Sequence, residues 1–242
     1  MTLQLQLLNN HSFNYQNTDT RFLHSIIITN GFSVNIDFLN NNNTERSYNN
    51  KEQNEIGNFN KPLGYHISGD LEWSNAKFFK YETTYEQTKF VKKIKITTRS
   101  KVNNAKFKIR IFSVNKEGSP EDDLLYEDII VTVKKGKRKN IIDISNFKLV
   151  FPKEGLFIAY EVLKIESNKY EFKYTENESK KLVKKTFYAP DFECNLVDEQ
   201  NTYHFRNGKW IKHQRWHSNE VGSLKKFNNK VFEPAITLTL TN

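Results

Sequence analysis

The chain has 242 residues, 37 Lys plus Arg against 28 Asp plus Glu for a net charge of +9, 37% hydrophobic residues and one cysteine. That length suits one large β-sandwich, or such a domain with an N-terminal extension; Cys194 alone excludes an internal disulfide framework and every multi-cysteine zinc site. No run of about eighteen apolar residues occurs, so no membrane-spanning helix is expected.

With 19 Phe, 11 Tyr and 3 Trp, the core must be built largely from aromatic side chains. The basic excess is spread along Lys92, Lys93, Lys95, Lys106 and Lys108, where lysine keeps a sheet face soluble and blocks edge pairing. A solvated face is therefore expected in preference to an anion-binding one, and nucleic acid is not an expected partner. The N-terminal M-T-L-Q-L-Q-L-L-N-N-H lacks the basic region and apolar run of a secretion signal. A cytoplasmic location is the default expectation, or a surface or secreted one if the true start lies upstream.

Residues 1–39 hold short apolar bursts: Leu3, Leu5 and Leu7, then Ile26 to Ile28, then Phe32, Val34, Ile36 and Phe38 after an Asn30-Gly31 turn signal. Two or three strands are expected, with membership of the main sandwich left open. Residues 40–62 are rich in Asn and polar residues, and the expectation is a loop or linker. Residues 63–242 are expected to form the sandwich. Tyr65, Ile67, Leu71 and Trp73 mark an ordered stretch broken at Gly69. Residues 77–86 are aromatic-rich and ambiguous, and residues 90–98 read as a strand with Ile94 and Ile96 inward.

Residues 105–114, A-K-F-K-I-R-I-F-S-V, alternate cleanly and give a half-buried strand. Its expected partners are residues 90–98, 129–133 and 156–163. An acidic turn with Gly118 and Pro120 follows. The basic 134–139 segment is expected to be a hairpin tip with Gly136 at positive φ, and residues 141–144 to return antiparallel. L-F-I-A-Y-E-V-L, 156–163, is apolar on both alternations and should be a central strand covered on both faces. After Phe187 to Phe192 an irregular segment containing Cys194 is expected. Residues 203–211 read as a hairpin with Asn207-Gly208 at its tip, and Ile236, Leu238 and Leu240 as a last strand.

The succession K-F-K-I-R-I-F-S-V-N, G-S-P-E-D-D-L-L, D-I-I-V-T-V-K-K-G, I-I-D-I-S-N-F, V-F-P-K-E-G-L-F-I-A-Y-E-V-L and P-A-I-T-L-T-L resembles a family of uncharacterised bacterial β-sandwich modules, often found beside carboxypeptidase-regulatory-like domains in cell-surface proteins. The resemblance covers residues 64–242 by strand pattern. It implies an all-β, antiparallel, jelly-roll-like sandwich with no established activity.

Aromatic and basic residues concentrate in K-W-I-K-H-Q-R-W-H. Trp210, Trp216, Lys212, His213 and Arg215 are the candidate ligand-binding residues, since indoles stack on sugar rings while cations hold carboxylate or phosphate. If the strand runs on, Trp210, Lys212, Gln214 and Trp216 share a face. The competing reading has the tryptophans closing an open edge of the sandwich. His213 and His217, with His204 and Cys194, have no recognised zinc spacing, so no metal site is expected. The acidic turn 117–123 could supply oxygens to a structural calcium, though a solvated turn is the expectation; no other cofactor is expected.

No nucleophile elbow, phosphate loop or zinc-protease motif is present. The leading expectation is a non-enzymatic module that binds a glycan or another extended ligand, or serves as an interaction domain. The alternatives are a polysaccharide-acting enzyme, with Asp70, Glu72 and Glu161 as carboxylates, or a nucleic-acid-binding basic face. Oligomeric state is not legible.

Overall fold

The computed structural model describes residues 2–7, 11–16, 34–37, 53–57, 64–66, 74–176, 180–217 and 227–242. The chain divides into two compact units, 1–50 and 51–242. In the first, strands β1 (Thr2–Leu7), β2 (His11–Gln16) and β3 (Val34–Asp37) form an antiparallel sheet in the order β2-β1-β3, with Leu5 opposite both Phe13 and Ile36. Asn30-Gly31, residues 26–28, Phe32 and Phe38 lie outside the described residues.

The second unit is an all-β, antiparallel sandwich. Its strands are β4 (Gln53–Ile56), β5 (Gly64–His66), β6 (Ser74–Phe79), β7 (Phe90–Ser100), β8 (Ala105–Val114), β9 (Pro120–Asp123), β10 (Ile129–Val133), β11 (Gly136–Asp143), β12 (Leu156–Val162), β13 (Lys169–Thr175), β14 (Leu182–Tyr188), β15 (Asp191–Val197), β16 (Thr202–Arg206), β17 (Lys209–Lys212), β18 (Val231–Pro234) and β19 (Ile236–Thr241). The front sheet runs β10-β8-β12-β6-β16-β17, with β9 also on β8. The back sheet runs β18-β15-β7-β19-β4, with β11 on β7 and β5 on β15. A separate β13–β14 hairpin stands beside them.

Strand β8 behaves as its alternation predicts: Ala105, Phe107, Ile109 and Ile111 are buried while Lys106 is exposed. Its neighbours, however, are β10 and β12 only. Residues 90–98 belong to the facing sheet, because the connection through Val102 and Asn104, the latter at φ 57°, carries the chain across the end of the sandwich with Val102 packed on the core. The same happens after β10. Residues 134–139 do not form a hairpin tip: Gly136 has the expected positive φ, 93°, but β11 then joins β7 in the back sheet, with Ile142 opposite Ile94.

Strand β12 is central as expected, flanked by β6 and β8. Leu156, Ile158 and Tyr160 enter the core between the sheets, where Tyr160 stacks on Phe192 at a centroid distance of 3.6 Å and Phe107 meets Phe192 edge-on. Burial of each such ring contributes about 2 kcal/mol. Phe157 and Ala159, on the opposite face, are equally buried.

Two further expectations are corrected. Strand β4 lies inside the stretch expected to be linker; Ile56 is buried opposite Leu238, and Thr237 donates to Glu55 at 3.0 Å, so four residues of that polar segment gain an edge to pair with. The segment around Cys194 is not irregular but the strand β15, buried from Asp191 to Asn195 and paired with β5, β7 and β18. Ile67, Gly69, Asp70, Leu71, Glu72 and Trp73 lie outside the described residues. Among the described residues no helix is long and apolar enough to cross a membrane.

Candidate functional site

A sandwich needs only one buried face per sheet, yet the front sheet covers part of its outer face as well. Ala76, Phe112, Phe157, Ala159 and Tyr203 form a second buried cluster there, with Phe78, Val114 and Trp210 packed against it. Two features hold it. The β16–β17 hairpin turns tightly because Asn207 and Gly208 both take positive φ, 53° and 78°, which sets Phe205 opposite Trp210. The turn between β8 and β9 folds toward the hairpin, and the Tyr203 hydroxyl donates to the Gly118 carbonyl at 2.9 Å.

Between these features and the end of β12 lies a groove of about 680 Å³. Trp210 meets Phe112 edge-on at 5.3 Å and Phe205 at 5.2 Å, and Phe205 is itself 38% exposed. Arg110 lies over the Phe112 ring at 4.6 Å. Its Nε donates to Asp123 at 2.9 Å, and Nη1 is 3.9 Å from Glu161. The groove is also lined by Glu121, Lys164, Arg206 and Asn207. The lining thus carries three cations, Arg110, Lys164 and Arg206, and two carboxylates, Glu121 and Glu161, while Asp123 holds Arg110 from β9.

Of the residues singled out in the sequence, Trp210 lies in this groove, and Lys212 stands opposite Tyr203 with its ammonium 5.8 Å from that ring. The shared face expected for Trp210, Lys212, Gln214 and Trp216 does not form, because β17 ends at Lys212. Trp216 instead exchanges backbone hydrogen bonds with Lys230 and Asn229 and meets Phe232 edge-on. Arg215 donates to the Asn229 carbonyl at 3.0 Å. His213 turns inward, and its Nε2–H donates to Asn75 Oδ1, 2.9 Å away.

That inward side is polar. His213 lies 5.5 Å from His66 and 5.0 Å from His204, ring centre to ring centre, and His66 Nδ1 is 2.6 Å from the Tyr160 hydroxyl. Burial, then the neighbouring imidazoles, pushes His66 down to about 3 and His213 to about 4; His204 is lowered by burial and by Arg206. Nearby, Lys77 and Glu233 form a buried ion pair at 2.7 Å. Among the described residues no group of three or more His, Cys, Asp or Glu is placed to hold a metal ion. Burial raises the Cys194 thiol far above its usual range, so it is an inert filler of β15. In the acidic turn, Asp123 is engaged with Arg110 and also accepts from the Leu125 backbone at 3.2 Å.

Arg110, Phe112, Glu121 and Phe205 were not legible as site residues. The available signal was Phe112, which breaks the alternation of β8 by following Ile111 directly, together with the two-sided apolar character of β12.

No family model matches the chain, and no curated protein matches it. Among solved structures it is similar to the crystal structure of the cysteine protease and lectin-like domains of Cwp84, a surface layer associated protein of Clostridium difficile, at 12% identity and a TM-score of 0.37. That similarity covers 71% of this chain, which spans only 32% of the other.

Proposed function

We propose that the chain is a non-enzymatic binding module whose outer-face groove takes a neutral, extended glycan. The observation that carries this reading is the aromatic pair Trp210 and Phe205, backed by the buried Phe112, beside Arg110, which is gripped by Asp123 and faces Glu161. Rings of this kind stack on the apolar faces of pyranoses, and fixed guanidinium and carboxylate groups donate to and accept from hydroxyls. With two carboxylates set among three cations, one of them already engaged by Asp123, the groove offers little attraction for a polyanion, so the chain's +9 does not translate into a nucleic-acid site here.

Glycan-array screening followed by calorimetry tests the reading. The wild type is expected to bind neutral oligosaccharides with an affinity that barely changes with salt. Trp210→Ala should weaken binding by about 30-fold, equivalent to ~2 kcal/mol for a central aromatic anchor. Absence of any glycan signal, or an affinity unchanged in Trp210→Ala, overturns it. Affinity falling steeply with salt would assign the groove to an anionic ligand instead.

A further inference from the structure

Lys77, Glu233 and Asn201 meet inside the sandwich, away from the groove and independent of its function. Lys77 on β6 and Glu233 on β18 are 2% and 3% exposed. The ammonium lies 2.7 Å from Glu233 Oε1, donates to the Ile236 carbonyl at 3.1 Å, and sits 5.0 Å from the centre of the Phe79 ring. The other carboxylate oxygen, Oε2, accepts from Asn201 Nδ2 at 2.6 Å. One buried carboxylate therefore holds an amine on one oxygen and a carboxamide on the other.

The backbone fixes this meeting. Strands β6 and β16 pair with Thr202 opposite Lys77, and the Phe78 amide donates to the Asn201 carbonyl at 2.8 Å. Asn201 is thus held beside Lys77 whichever way the side chains turn. The Asn201 Oδ1 also accepts from the Thr202 hydroxyl at 3.3 Å, a contact that draws electron density from the carboxamide carbon.

We propose that Lys77 and Asn201 join in an intramolecular isopeptide bond, with Glu233 as the proton-transferring group. A buried ion pair is costly relative to its neutral tautomer. Transfer of one proton from Nζ to Oε1 gives a neutral amine and a carboxylic acid. Nζ then attacks Cγ of Asn201. Glu233 delivers its proton toward Nδ2 and takes one from Nζ as the new C–N bond forms and the Cγ–Nδ2 bond breaks. Ammonia leaves, Glu233 is regenerated as the acid, and no oxidant, reductant or other co-reactant is consumed. Desolvation supports the step by lowering the basicity of Lys77, an effect that Glu233 only partly opposes. Fixed proximity supplies the remainder, since Lys77 and Asn201 are held together by the β6–β16 ladder and Glu233 meets them from β18 of the facing sheet, so no diffusional encounter is needed.

Mass spectrometry of the purified full chain tests the bond directly. The intact mass is expected to fall short of the sequence mass by one ammonia, about 17 Da. Trypsin should release residues 52–80 joined to residues 186–206, uncut after Lys77. Glu233→Gln, which keeps the shape but cannot carry the proton, should return the full sequence mass and separate peptides. A wild type of full sequence mass, with residues 186–206 recovered alone, overturns the bond. A joined peptide in Glu233→Gln overturns the role of Glu233. Both readouts are independent of whether any glycan binds.

Discussion

Lowering the pH from 7 to 5 should loosen the sandwich through the imidazoles packed between β5, β16 and the end of β17. His66 is surrounded by Tyr160, Phe232 and His213, and His213 by His66, His204 and Asn75, and among the described residues it is burial and neighbouring imidazoles that set both values. Their folded-state values, about 3 and about 4, lie below the ordinary histidine value. The unfolded chain therefore binds protons that the folded chain refuses across the window from about pH 6.5 down to those values. Stability is fully present above pH 6.5 and is lost as the pH falls. At pH 5 the unfolded form of each ring is favoured by about 1.5 pKa units, an upper bound of ~2 kcal/mol per ring. Both residues keep part of their surface in water, so half of that, about 2 kcal/mol for the pair, is the expected loss. Carboxylates such as Glu55 and Asp143, whose values are lowered by the Lys95 ammonium and the Ser145 hydroxyl, act below the pH range compared. Urea unfolding at the two pH values reads the loss. The double variant His66→Gln, His213→Gln should show a much shallower response between them, the remainder coming from His204, whatever its own stability. A wild type equally stable at both pH values, or a double variant with the wild-type slope, refutes the reasoning.

Two substitutions probe the frame that carries the groove. Asn168 is fully buried; its Oδ1 accepts from the Lys106 amide and its Nδ2 donates to the Lys106 and Leu163 carbonyls, each at 2.7 Å. Asn168→Ala leaves those backbone groups without the side chain, an expected cost of about 3 kcal/mol, read in a thermal melt as a fall of roughly 6–12 °C. Gly155 precedes β12 at φ 89°, and a Cβ there would lie 2.6 Å from both the Phe78 ring and the Phe79 carbonyl. Gly155→Ala should therefore destabilise by about 3 kcal/mol in chemical denaturation, whereas the same change at Gly118, where a Cβ meets nothing within 4 Å, should cost less.

What could be read from the chain was local pattern. The alternation of β8, the two-sided apolar run of β12 and the Asn207-Gly208 turn each depend on neighbours a few residues away, and each stands where expected. Sheet membership was not legible, because a strand's side-chain pattern is the same whichever sheet accepts it. Residues 90–98 and 105–114 look like two arms of one hairpin, and 129–133 and 141–144 like another; both connections instead cross the sandwich. The site suffered for the same reason. Lys209 to His217 is one stretch in sequence, but the end of β17 at Lys212 sends Trp210 to the groove, His213 to the polar interior and Trp216 to the segment before β18. Arg110 reaches Asp123 and Glu161 only through pairing of β8 with β9 and β12, which no spacing along the chain announces.

The outer groove and the inner polar cluster are two faces of the same strands. Along β6, Ala76 and Phe78 face the outer aromatic cluster while Asn75 and Lys77 point inward to His213 and Glu233; along β16, Tyr203 and Phe205 face outward and His204 inward. A slip of one residue in the β6–β16 register would exchange the faces, sending Lys77 toward the groove and Phe78 into the charges. Backbone pairing covers only four residues here, Thr202 to Phe205 against Lys77 to Ser74. The bridge proposed between Lys77 and Asn201 closes at one end of that short ladder, where it would forbid the slip outright. It would also close a loop of 201 − 77 = 124 residues, for which the chain-entropy relation gives about 5 kcal/mol of stabilisation. A covalent pin at this position therefore does two things at once: it holds the sandwich together, and it fixes which side chains the groove presents to its ligand.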